Sequence, residues 1–166
     1  MKRRILRCMT FPALLALAAG PAAAESATWG LVGTSYGAFR DHPRKLFLSL
    51  ELDHKVEEGP LGYWVALEGR EGVGQYLGVG PLLVWSPNPD WKFAGSSGPG
   101  YYHRNNGLDL GYQVEFRSSS YVARRIGPAG WVGFSVSHYS NAHLRTKNPG
   151  AETLRMFWSI PLQGSK

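Results

Sequence analysis

One cysteine, Cys8, is all the sulfur nucleophile the 166 residues hold. A single thiol closes no disulfide within the chain, and the segment carrying it reads as one that is removed. Residues 1–24 open with Lys2, Arg3, Arg4 and Arg7, pass through the short apolar stretch 14–19, and end on Ala22, Ala23 and Ala24. A positive start, a brief greasy run and small residues before a cut are the parts of a cleaved secretory signal peptide. Pro12, Gly20 and Pro21 interrupt the stretch, which falls short of the roughly 20 apolar residues of a spanning helix. The expected mature protein is one domain, residues 25–166, without a thiol nucleophile.

Long apolar runs are missing downstream as well, so no transmembrane helix is expected. Charge is modest: of the formal +6, four positives sit in the leader, which removes most of the case for nucleic-acid binding. Histidines are few, and His42, His54, His103 and His143 show no metal-ligand spacing, so neither a metal nor another cofactor is expected.

What the chain does have is glycine, proline, aromatic residues and alternation, with almost no helical period. From 46 to 52 every second residue is leucine, with Phe47, Ser49 and Glu51 between. Leu61, Tyr63, Val65 and Leu67 oppose Gly62, Trp64, Ala66 and Glu68; Leu108, Leu110, Tyr112, Val114 and Phe116 oppose Asp109, Gly111, Gln113, Glu115 and Arg117. A period of two means strands with one apolar and one polar face. Alternation alone fits a soluble sandwich too. Runs of about ten residues, longer than ordinary strands, suit a tilted membrane crossing. The six tryptophans, mostly near run ends, suit interfacial girdles. Eight runs are predicted, at 29–39, 45–53, 61–70, 74–85, 91–102, 108–124, 130–140 and 152–162. The expected fold is therefore all-β, an eight-stranded antiparallel outer-membrane β-barrel. Gly72, Gly74 and Gly78 lack the strand-turn-helix setting of a nucleotide loop and read as barrel glycines.

In the seventh run His138 and Ser140 continue the greasy face of Val132, Phe134 and Val136. In the eighth, Glu152 shares parity with Leu154, Met156 and Trp158. Paired as a hairpin, the two runs make Ser140 and Glu152 near neighbours, with His138 two residues along. A hydroxyl, an imidazole and a carboxylate on one patch are the groups of acyl transfer. Any one of them alone would be a polar residue at a strand mouth. Three complementary ones on a lipid face, where polarity is costly, favour a site.

The stretch Ser137-His138-Tyr139-Ser140-Asn141-Ala142, followed by Asn148-Pro149-Gly150-Ala151-Glu152, closely resembles the PagL-type lipid A 3-O-deacylases. The resemblance is sharp over about the last 30 residues and architectural before them. It implies an eight-stranded outer-membrane barrel whose outward-facing His138, Ser140 and Glu152 hydrolyse the ester-linked acyl chain at position 3 of lipid A. By the same resemblance Asn141 is an oxyanion-hole candidate, with Asn148 or loop amides sharing the task. The pattern departs from such barrels at the C-terminus, which ends Leu162-Gln163-Gly164-Ser165-Lys166 rather than on an aromatic residue. Lipid A and the outer membrane are the expected partners, and a homodimer stays open. So do an outer-membrane phospholipase, a non-catalytic small barrel and a soluble lipid-binding barrel.

Overall fold

A computed structural model describes residues 27–38, 45–56, 59–70 and 74–163. The expected leader, residues 1–24, lies outside the described residues. Eight strands follow one another: β1 (Ala27–Ala38), β2 (Lys45–Lys55), β3 (Leu61–Arg70), β4 (Gly74–Asn88), β5 (Trp91–His103), β6 (Val114–Arg125), β7 (Trp131–Ser140) and β8 (Ala151–Gln163). Each pairs antiparallel with the next, and β8 pairs with β1, closing a barrel that has no free edge. Among the described residues no helix is long and apolar enough to cross a membrane.

The distribution of polarity is the reverse of a soluble protein's. Leu46, Leu48, Leu50 and Leu52 of β2 are exposed, while Phe47, Ser49, Glu51 and Asp53 point into the barrel and are buried. Leu77 and Val79 of β4 and Leu154, Met156 and Trp158 of β8 are exposed in the same way. Leaving so much aliphatic surface outside is unfavourable in water and favourable in lipid. The soluble-barrel alternative fails on this inversion.

The polar interior is partly paired, although both carboxylate oxygens of buried Glu115 lack a hydrogen-bond partner among the described residues. Arg117 donates to Glu51 at 2.9 Å and to Glu68 at 2.8 Å, and Arg155 donates to Glu51 at 2.7 Å. The Arg117 guanidinium lies 3.9 Å over the Trp64 ring, and the Lys92 ammonium sits between the Trp29 and Trp131 rings at 3.5 and 3.7 Å. Removing one partner of such a buried pair leaves an uncompensated charge, at a cost of about 3–5 kcal/mol. This network ties down the inward side of β7: the Tyr139 hydroxyl donates to Glu68, and Ser137 donates to Ser119 at 3.0 Å. His138, between them, is thereby obliged to face out.

Two expectations need correcting. The sixth strand begins at Val114, not at 108, and residues 104–113 form a loop instead. Gly111 there has φ +94°, a left-handed value that interrupts extended pairing, and Leu110 is buried in the barrel mouth instead of facing lipid. The tryptophans also divide. Trp85, Trp91 and Trp158 are exposed near strand ends, as a girdle requires, whereas Trp29 and Trp64 are buried inside as ring partners for cations. The run at 91–102, rich in glycine and serine, is nonetheless a full strand.

Candidate active site

Strands β7 and β8 are joined by the loop 141–150 at the end of the barrel opposite both termini of the described chain. Their register sets His138 directly across from Glu152. The His138 Nδ1 lies 3.3 Å from Glu152 Oε1, with both side chains more than half exposed on the outer surface. Sequence parity placed all three groups on this face, and they are there. The hairpin register differs from the expected one, however: the carboxylate faces the imidazole, and Ser140 lies one row nearer the rim, its β6 partner being Phe116.

Two residues along a strand are separated by about 7 Å, and among the described residues the Ser140 hydroxyl makes no hydrogen bond to the His138 ring. Such contacts commonly tighten only when substrate is bound. With Nδ1 on Glu152, the Cε1 and Nε2 edge of the ring faces Gly150: a Cβ built there would stand 3.3 Å from Cε1 and 3.9 Å from Nε2. Gly150, at φ +70°, thus lies against the imidazole on the side toward the rim, where Ser140 also sits. The sequence offered Asn148 as an oxyanion candidate but gave no role to Gly150, since a glycine before a strand is only a weak signal of such a contact.

The residue after Ser140 is committed elsewhere. Asn141 is fully buried, and its side-chain amide donates to the carbonyls of Lys147 at 2.8 Å and Leu110 at 3.4 Å. Its backbone N–H donates to the Asn148 side-chain oxygen at 3.0 Å. Asn141 is therefore the post on which the loop hangs, and its side-chain N–H groups are turned away from the outer face. The loop continues with Ala142 at φ +50° and His143 at φ +62°, closed by a hydrogen bond from Leu144 N–H to the Asn141 carbonyl at 2.9 Å. That is a mirror-image turn made without glycine, a local strain of the kind that gathers at functional sites.

The neighbouring loop 104–113 clasps this one. The Lys147 ammonium reaches Asp109 at 2.7 Å, Arg104 reaches it at 3.2 Å, and the Gly111 N–H donates to it at 2.9 Å. The Lys147 hydrogen bond, first, and the Gly111 amide hold the Asp109 carboxyl below its ordinary range. Gly111 approaches Lys147 so closely that a Cβ there would collide with its carbonyl oxygen. The Arg145 guanidinium covers the Tyr112 ring at 4.9 Å. Among the described residues no cluster of histidine, cysteine or carboxylate side chains is arranged to hold a metal.

A family model described as lipid A 3-O-deacylase (PagL) matches residues 45–161. The chain belongs to the PagL family. The lipid A deacylase PagL of Pseudomonas aeruginosa is 29% identical over 167 aligned positions, covering 88% of this chain and 90% of that protein. Among solved structures, the outer membrane enzyme PagL superimposes with a TM-score of 0.61 at 23% identity, over 80% of this chain and all but 1% of the other, which is 99% covered. The Yersinia pestis outer membrane protein Ail follows the same barrel at a TM-score of 0.52 and 12% identity, covering 82% of this chain and 100% of its own. At those identities the structures establish the fold. PagL membership makes the chain an ester hydrolase and an outer-membrane protein.

Proposed function

We propose that this protein, exported by a leader at residues 1–24, removes the ester-linked 3-hydroxyacyl chain from position 3 of lipid A, with Ser140 as nucleophile, His138 as base and Glu152 as the group that orients the imidazole. The observation that carries the reading is the 3.3 Å pairing of His138 and Glu152 on a lipid-facing surface, one row below an outward serine.

In this mechanism Ser140 Oγ attacks the ester carbonyl carbon as its proton passes to His138 Nε2. The tetrahedral intermediate collapses, the bond to the sugar oxygen breaks, and that oxygen takes the proton back from the imidazole. Water, deprotonated by the same nitrogen, then attacks the acyl-serine and releases the 3-hydroxy fatty acid. Glu152 at Nδ1 fixes the tautomer that leaves Nε2 free to accept, and stabilises the imidazolium between the two transfers. For the oxyanion, the backbone amides of Ala142 and His143 suit the task, since their turn is set by Asn141 inside the barrel. The Asn148 side chain, whose oxygen already accepts from Asn141, points its amide nitrogen elsewhere and is a further donor. Asn141 then serves the oxyanion through the loop it holds and not through its own amide.

The test is mass spectrometry of lipid A from bacteria expressing the chain or its Ser140→Ala form. Loss of one 3-hydroxyacyl group only with the serine intact supports the reading. Unchanged lipid A in a confirmed, inserted barrel overturns it, and release of fatty acid from glycerophospholipid instead makes the protein a phospholipase.

A further inference from the structure

The outer face beside the proposed site carries a second anomaly. Ser118 of β6 is the register partner of His138, and Ser97 of β5 is the register partner of Ser118. Both are exposed on the lipid side, and their hydroxyls lie 3.0 Å apart. One row deeper stand Ser120 and Gly95, where a Cβ added to Gly95 would touch nothing within 4 Å. Flanking this strip, Val136 and Phe134 of β7 and Val79 and Leu83 of β4 project as exposed ridges. The result is a furrow running from the His138 row toward the middle of the barrel wall, with a pair of hydroxyls at its head.

A strand that had only to face lipid would carry aliphatic side chains there, as β2 does with its leucines. Hydroxyls in that position forgo apolar contact and must be hydrogen-bonded to be tolerated. The pair satisfies itself in part: one hydroxyl donates to the other, which leaves one donor and several lone pairs unused. That is the complement of an alcohol, which needs one acceptor and one donor.

Resting on the function proposed above, we infer that the Ser97–Ser118 pair recognises the 3-hydroxyl of the acyl chain and so sets the preference for hydroxylated over plain chains. Ser140 stands one row up and one strand across from Ser118, about 8 Å between Cα atoms, and the hydroxyl-bearing carbon is two bonds down the chain from the ester carbonyl, which brings its hydroxyl toward Ser118, the nearer of the pair. A chain entering the furrow head first carries its hydroxyl past Ser118 before its alkyl tail reaches Gly95.

The experiment compares purified protein on two detergent-dispersed glucosamine lipids that differ only in carrying a 3-hydroxymyristoyl or a myristoyl ester at position 3. Expected is a preference of about tenfold in kcat/KM for the hydroxylated ester, consistent with one additional hydrogen bond. In the Ser97→Ala/Ser118→Ala protein the ratio falls to about one, and Ser118→Thr, which keeps the hydroxyl, retains it. Folding of each variant is checked by the altered electrophoretic mobility of an unboiled barrel. A wild-type protein that cleaves both esters equally, or a folded double variant that keeps the preference, overturns the inference while leaving the deacylase reading intact. A wild type that cleaves neither ester, no better than Ser140→Ala, overturns both.

Discussion

Glu152 lies across the ladder from His138, Oε1 to Nδ1 at 3.3 Å, while Ser140 stands on the same strand as the histidine and one row closer to the rim. The carboxylate and imidazole are preset by backbone pairing, and the serine reaches its partner only along the strand. The three groups should therefore be unequal under mutation. Ser140→Ala and His138→Asn are expected to lower kcat by at least about a thousandfold, and Glu152→Ala by some ten- to a hundredfold less than either. All three are at the outer surface, so thermal unfolding should be unchanged within about 0.5 kcal/mol. A Glu152 variant as inactive as the serine variant would contradict the orienting role.

Gly150→Ala places a methyl 3.3 Å from His138 Cε1 at a backbone φ of +70°. The left-handed conformation costs an alanine about 1–2 kcal/mol, and the ring must yield or the loop must move. A drop in kcat with little change in KM is expected, read by steady-state kinetics on dispersed lipid A. An unaffected kcat would show that the ring is free to reorient.

Asn141→Ala removes the donor to two carbonyls, Lys147 and Leu110, at the barrel mouth. Unpaired buried acceptors cost about 1–3 kcal/mol, and the turn at Ala142 and His143 loses its anchor. Lower thermal stability is expected together with a lower kcat, whereas Asn141 acting through its own amide on the substrate would lower kcat alone. Calorimetry beside the kinetic assay separates the two.

The Asp109 clasp is exposed, so each of its ion pairs is worth little on its own. Its effect is local order. Asp109→Ala should raise the rate of tryptic cleavage after Arg145 or Lys147 several-fold, followed by gel electrophoresis. The pH dependence has a definite sign. Because the folded carboxyl titrates below the ordinary aspartate value of 3.8, its contribution is fully present above that value and fades as the pH falls further, through the depressed folded value. Protection against an acid-active protease should be constant above about pH 4 and decline below it in the native chain, and be low throughout in Asp109→Ala.

Much of this molecule is legible in its sequence, for a particular reason. In β2 the alternation of Leu46, Leu48, Leu50 and Leu52 with Ser49 and Glu51 pits extremes against each other, and the period alone fixes both strand and faces. The same argument put His138, Ser140 and Glu152 on one side of the wall. It failed at Leu108, Leu110 and Tyr112, which alternate as cleanly. Periodicity reports that every second residue is apolar, not whether lipid or a lid receives it, and Leu110 goes into the mouth beneath the Asn141 loop. The His138–Glu152 register was hidden for another reason. It depends on how the ten residues of 141–150 turn, and that path passes through two left-handed non-glycine residues that no propensity announces. Ser97 and Ser118 became a pair only when the β5–β6 register was known.

Catalysis at the outward-facing His138, as proposed above, alters what concentration means for this enzyme. A group on the outside wall of a barrel meets no bulk solution of its substrate; it meets a two-dimensional fluid of neighbouring molecules. Occupancy then follows the mole fraction of substrate among the surrounding lipids, and inert lipid or detergent competes simply by taking up area. Rates measured in micelles should fall when detergent is added at fixed protein and substrate, a surface dilution that an enzyme with an internal pocket filled from water would not show.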